Sequence, residues 1–267
     1  MNEAPRRVWW GDYRTTEYAA IDPEATIAVL PVAAVEQHGP HLPVSTDTTI
    51  MAGMLEAVVE RLPDDLDMRI LPVQAVGKSN EHVHAPGTLT LPPATLIEAW
   101  TELGLSVARA GVRKIVVVNS HGGNEEIMGI VTRELRVRAK RLAVKTSWQR
   151  FGRPEGMYTA EEDRLGIHGG DVETSLMLHF RPDLVDMGKA RNFVSNVTRA
   201  DRHFELLRQT GTHAFAWIAS DINEHGVAGD ASIATAEKGR LTAEHQADGF
   251  VRLLKDVRKA KLADWLA

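Results

Sequence analysis

Short apolar runs alternate along this chain with longer segments in which apolar residues recur every three or four positions. Thr26 to Val32, Arg69 to Val73, Lys114 to Asn119 and Leu142 to Thr146 are the runs, and they predict strands. Met51 to Leu62, Ala94 to Ala110, Ile127 to Ala139 and Ala236 to Lys259 carry the helical period. Asp47, Thr48 and Thr49 can cap the first of these helices, and Gly111 ends the second. Continuously apolar strands separated by helices indicate a parallel sheet covered on both faces, hence an α/β fold. Nothing along residues 1–267 reads as a repeat, a linker or low complexity, so a single domain is expected. Residues Gln149 to Ile167 break the rhythm with Gly152, Pro154, Gly156 and the charged run Glu161 to Arg164. A solvated loop is the default reading there, and a functional lid the alternative.

Composition narrows the function. Hydrophobic residues at 43% and charged residues at 25% exclude wholesale disorder. A net charge of −5 gives no basic footprint for nucleic acid. No run approaches the roughly twenty apolar residues of a membrane span. Arg6-Arg7 is followed by polar residues and not by the apolar stretch of an export signal. A cytoplasmic protein without nucleic-acid or membrane partners is therefore expected. Cysteine is absent, which removes disulfides, thiolate metal sites and a cysteine nucleophile. Histidines and carboxylates are left as the metal chemistry.

Three segments place those residues where strands end. Glu36-Gln37-His38 follows the first strand, with Asp47 at the start of the next helix. Carboxylate and imidazole suit Zn²⁺, Mn²⁺ or Fe²⁺, and a carboxylate can bridge two ions; a polar loop with Asp47 as a helix cap fits equally well. Asn119-Ser120-His121-Gly122-Gly123-Asn124 follows the most apolar strand, where glycines allow close approach to a ligand or simply make a turn. Gly166-Ile167-His168-Gly169-Gly170-Asp171-Val172-Glu173 repeats the theme, although Glu173 would suit a first helical turn on dipole grounds alone. Three such segments on the carboxyl side of one sheet make accident a poor explanation, because ligands collect there in open α/β folds.

Taken in order, EQHGPHLP…D, EHVHAPGTLTL, NSHGGN, HGGDVETS and GVAGDASIATAEKG resemble the creatininase family, from Val32 to about Lys238. The resemblance implies a three-layer α/β/α sandwich with a mostly parallel central sheet. It also implies a metal-dependent hydrolase of C–N bonds and a homohexamer built as a trimer of dimers. Two divalent ions per chain are implied, Zn²⁺ first, with Mn²⁺ or Fe²⁺ as alternatives. Carried over by position, Glu36, His38, Asp47, His121 and Glu173 match metal ligands, Asp47 bridging. His168 matches a histidine that exchanges protons with a small-molecule substrate. Ser79, Glu81 and His82, after the second strand, and Tyr158, in the irregular segment, are pocket candidates.

Two departures argue against creatinine as substrate. Creatininase carries a glutamate where this chain has Gly123, which would leave room for a bulkier substrate. It also carries tryptophans in its lid, whereas Gln149 to Ile167 offers only Phe151 and Tyr158. An amide, cyclic amide or formamide bond is the expected target. Cleavage of a sugar-derived ring C–C bond, cleavage of a peptide bond, and metal binding without catalysis are the alternatives.

Overall fold

The computed structural model describes residues 6–198 and 203–264. Four strands, β1 (Ile27–Val32), β2 (Met68–Ile70), β3 (Lys114–Asn119) and β4 (Leu142–Ser147), form a fully parallel sheet in the order β2-β1-β3-β4. Six helices matter below: α1 (Thr46–Arg61), α2 (Pro93–Arg109), α3 (Glu125–Ala139), α4 (Ala160–Leu165), α5 (Asp171–Phe180) and α6 (Ala236–Lys259).

Strand side chains alternate between faces, so each apolar strand feeds two cores. Ile27, Val29, Val116 and Val118 pack with Met51, Met54 and Leu55 of α1, Met177 of α5 and Phe250 of α6. Ala28, Leu30, Val32, Ile115 and Val117 pack with Leu96 and Trp100 of α2 and Val131 and Leu135 of α3. Helices thus cover both faces, giving the three-layer α/β/α sandwich that the sequence implies. Truncating such a side chain, Leu30→Ala for example, costs about 2–5 kcal/mol.

Element boundaries differ from the sequence expectation where polar residues take structural roles. The first helix begins at Thr46, well before Met51, because Thr46 Oγ1 donates to the Pro43 carbonyl (2.7 Å) and Thr48 Oγ1 to that of Ala34 (2.8 Å). Strand β2 stops at Ile70, before Pro72, which has no N–H to give to a ladder. The segment from Gln149 to Ile167 is not a plain solvated loop. It holds α4, whose N-cap Thr159 accepts from the Glu162 N–H (3.1 Å), and it buries Tyr158, Glu162 and Leu165. A two-residue antiparallel pair, β5 (Asn192–Phe193) with β6 (Gly229–Asp230), lies beyond α5.

Candidate metal centre

The chain leaves β1 through α1 towards β2, and leaves β3 through α3 towards β4 on the opposite side. The carboxyl ends of β1 and β3 therefore flank a switch point, the place where an open α/β sheet presents its crevice. Glu36 and His38 lie just past β1, Asp47 in the first turn of α1, and His121 just past β3. Asn119 and Asn124 fix the His121 turn. Asn119 Oδ1 accepts from the His121 N–H (3.0 Å), while Asn124 Nδ2 donates to the Ala33 carbonyl (3.0 Å). Glu173 enters from the first turn of α5. His168 is held by a backbone bridge to Ala228, whose N–H donates to the His168 carbonyl (2.8 Å).

These side chains converge in three groups whose ligand atoms lie within 4.8 Å of one another: Glu36–Asp47–His121, His38–Asp47–Glu173, and Glu36–His38–His168. His121 Nδ1 stands 3.2 Å from Glu36 Oε1 and 3.4 Å from Asp47 Oδ2. His38 Nε2 stands 3.6 Å from Asp47 Oδ1 and 3.7 Å from Glu173 Oε2. Asp47 thus faces both sides with different oxygens. Each histidine is oriented by its far nitrogen. His38 Nδ1–H donates to the Glu36 carbonyl (3.0 Å), His121 Nε2–H to that of Lys78 (2.8 Å), and His168 Nε2–H to that of Gln37 (2.7 Å). Backbone carbonyls of this kind hold the outer N–H of each ring and turn the inner nitrogen towards the centre. Glu36 Oε2, His38 Nε2 and Asp47 Oδ2 are buried without a hydrogen-bond partner among the described residues. Buried polar atoms are nearly always paired, so these orphaned atoms fit a bound cation: the donor set matches divalent metal chemistry.

Electrostatics follow the same geometry. Burial disfavours charge on Glu36, but His121, then His168 and His82, hold its carboxyl well below the usual range. Burial also opposes charge on His38 and His121, yet Asp47 acting on the first and Glu36 on the second push each ring up to about 10. Burial raises Asp47 to about 6. His168 is lowered, by burial first and by His38 second.

A cleft of about 1100 Å³ opens over the centre, with Glu36, Asp47, His121, His168 and Glu173 in its wall. Glu81 and His82 line it too, whereas Ser79 sits behind them, its Oγ 3.5 Å from His121 Nε2. Tyr158 does not line it. Its ring packs in the core and its hydroxyl pairs with Thr242 Oγ1 (2.8 Å). Both arguments against creatinine change. Gly123 leaves no free space, because a Cβ there would fall less than 3.0 Å from Glu81 Oε1, His121 Nε2 and the Lys78 carbonyl. Aromatic walls are present, supplied by Trp148 at the end of β4 and by Phe215 and Trp217 from a distant segment. Sequence reading also passes over two residues beside the ligands. Gln37 Nε2 donates to His82 Nδ1 (2.9 Å) and to the Gly226 carbonyl (2.7 Å). Buried His41 sets its Nε2 3.1 Å from the Gly169 carbonyl. Their position inside EQHGPH was the available signal.

Known proteins agree with this fold. Residues 11–254 match the Creatininase family, described as creatinine amidohydrolase. The chain is 34% identical to a mycofactocin precursor peptide peptidase of Mycolicibacterium smegmatis, over 82% of this chain and 80% of that one. It is 32% identical to a creatinine amidohydrolase of Pseudomonas putida, over 69% and 76%. A solved creatininase in a manganese form superposes with a TM-score of 0.74 at 25% identity, covering 94% of this chain and 98% of that one. A Zn–Zn form of a creatininase variant gives the same score. With most of its length matched by the family and its backbone superposing on solved creatininases, the chain belongs to the creatininase family, a family of hydrolases.

Proposed function

We propose that this protein hydrolyses an amide C–N bond with two divalent ions, and that its substrate is peptide-like. The observation that carries the proposal is the set of buried, unpartnered ligand atoms on Glu36, His38 and Asp47, converging with His121 and Glu173. Glu36, Asp47 and His121 would hold one ion and His38, Asp47 and Glu173 the other, with Asp47 shared. When bound, such ions polarise a carbonyl and lower the pKa of water towards neutrality. Zn²⁺ is the first choice for these nitrogen and oxygen donors, with Mn²⁺ or Fe²⁺ as alternatives.

The protein's own groups do the rest. His168 is tied through Nε2 to Gln37, so Nδ1 is the nitrogen left to work, and it stands 3.6 Å from Glu36 Oε1. From there His168 takes a proton from the attacking water and hands it to the leaving nitrogen. His82 Nε2 lies 3.4 Å from Glu36 Oε1 and, with Gln37 behind it, keeps that carboxylate aimed inwards. Small-molecule pockets span roughly 300–1,000 Å³. A cleft at or above the top of that range, walled by Phe215 and Trp217, supports a substrate larger than a single small ring. The relative described as a peptide peptidase supports the same class. A homohexamer, as the family resemblance implies, in the cytoplasm, as the sequence leads us to expect, completes the proposal; sedimentation of the purified protein tests the assembly.

The test of activity is hydrolysis by the metal-loaded protein of short peptides, N-formyl compounds and cyclic amides, read as released amine. Turnover of peptides at kcat/KM of about 10⁴ M⁻¹s⁻¹ or more is expected. No turnover of any amide, with both ions bound, would refute the proposal.

A further inference from the structure

We infer that Glu162 is a positioning residue that locks the segment Gln149–Ile167 onto the loop bearing His168 and the first turn of α5 bearing Glu173. In sequence Glu162 is one acid in an apparently solvent-facing run, but in the fold it is 4% exposed. Its carboxylate lies where three separate pieces of chain meet. It belongs to α4, it accepts from the Val172 N–H through Oε1 (3.4 Å), and it accepts from the Asp230 N–H through Oε2 (3.1 Å). Val172 sits in the first turn of α5, next to Glu173. Asp230 lies two residues past Ala228, which pairs with the backbone of His168.

The cradle around this carboxylate is made of glycine. A Cβ added at Gly166, Gly170 or Gly229 would fall less than 3.0 Å from a Glu162 side-chain atom. Three glycines, two from the connection between α4 and α5 and one from β6, admit one carboxylate, and each of its oxygens answers a different N–H. Glutamine could accept with only one oxygen, and its amide nitrogen would confront the other donor. The carboxylate is therefore specified by its surroundings. Its neighbours in and just after α4 reach the cleft, since Asp163, Gly166 and Ile167 all line the wall. Glu162 thus couples the placement of this wall to the placement of His168 and Glu173. It touches no reacting atom and acts through the backbone.

The role in turnover rests on the proposed hydrolysis, but the structural part can be tested without it. Hydrogen–deuterium exchange of full-length Glu162→Gln, with Glu161→Gln as an exposed control, reads the lock directly. Faster exchange is expected at residues 160–173 and 228–230 in Glu162→Gln alone, with unchanged exchange in β1 and β3. Should Glu162→Gln fail to fold, Glu162→Asp keeps the charge but shortens the reach, and the same local loosening is expected. In turnover, kcat should fall on the order of tenfold to a hundredfold, as for loss of a hydrogen bond to a charged group. KM should change little and both ions should stay bound. Exchange identical to the unaltered protein in both variants would overturn the inference whether or not amide hydrolysis is observed. Loosened exchange with an inactive unaltered protein would uphold the lock and count against the proposed activity instead.

Discussion

Loading the centre with divalent ions must expel the protons its ligand atoms carry beforehand. In the metal-free protein burial works against charge on His38 and His121, but the facing carboxylates push both up to about 10. Both rings are then protonated near pH 7.5, and each must lose that proton to present a lone pair to a metal. Asp47, at about 6, is already ionised there, and Glu36 lies well below. Full loading should therefore release at least one proton per histidine, with any further proton coming from bound water. Removing each histidine proton near pH 7.5 opposes binding by about 3 kcal/mol, at about 1.4 kcal/mol per pH unit. The product of the two association constants should rise at least about a hundredfold per pH unit in the neutral range. Calorimetric titration of Zn²⁺ or Mn²⁺ into metal-free protein, in buffers of different ionisation enthalpy, counts the protons. A release near zero would refute the reasoning, because it would mean neutral histidines in the metal-free protein. The same pattern sets stability. A histidine whose folded pKa is raised contributes stability in full below its ordinary value of 6.5, and that contribution is lost as the pH rises through about 10. The metal-free protein should lose Tm over that window.

His168→Ala should keep both ions while turnover falls by roughly 10²–10⁴-fold, the usual worth of a general acid–base group; metal analysis showing loss of an ion would make His168 a ligand instead. Gly123→Ala should destabilise by about 1–3 kcal/mol through overpacking against Glu81 and His121 and should weaken metal binding. Denaturant titration checks it, and an unchanged midpoint with unchanged affinity would show that Glu81 moves aside freely. Tyr158→Phe should cost about 1 kcal/mol by removing the hydroxyl's bond to Thr242 and leave kcat alone; a selective fall in kcat would put Tyr158 back at the cleft.

The sandwich was legible because β1, β3 and β4 are short apolar runs divided by helical segments, the pattern of a parallel sheet covered by helices. The candidate ligands were legible because strand ends in such folds are where chemistry gathers, and Glu36, His38 and His121 stand just past them. Residues acting through long-range contact were not. Glu162 reads as one acid in a charged run, and only the approach of Gly166, Gly170 and Gly229 reveals its burial. Phe215 and Trp217 sit in a stretch without period, and only the fold brings them over the cleft. Gly123 reads as a missing side chain, yet Glu81, which fills its space, lies 42 positions earlier in the sequence.

The two oxygens of Asp47 face two different sets of candidate ligands, Oδ1 towards His38 and Oδ2 towards His121. Elemental analysis of the protein after metal loading and removal of free ions, for the unaltered chain and for Asp47→Ala, tests this arrangement directly. Two equivalents per chain are predicted for the unaltered protein and at most one for the variant, since a shared bridge serves both sites. Two equivalents retained in Asp47→Ala, or fewer than two in the unaltered protein at saturating metal, would contradict the shared centre.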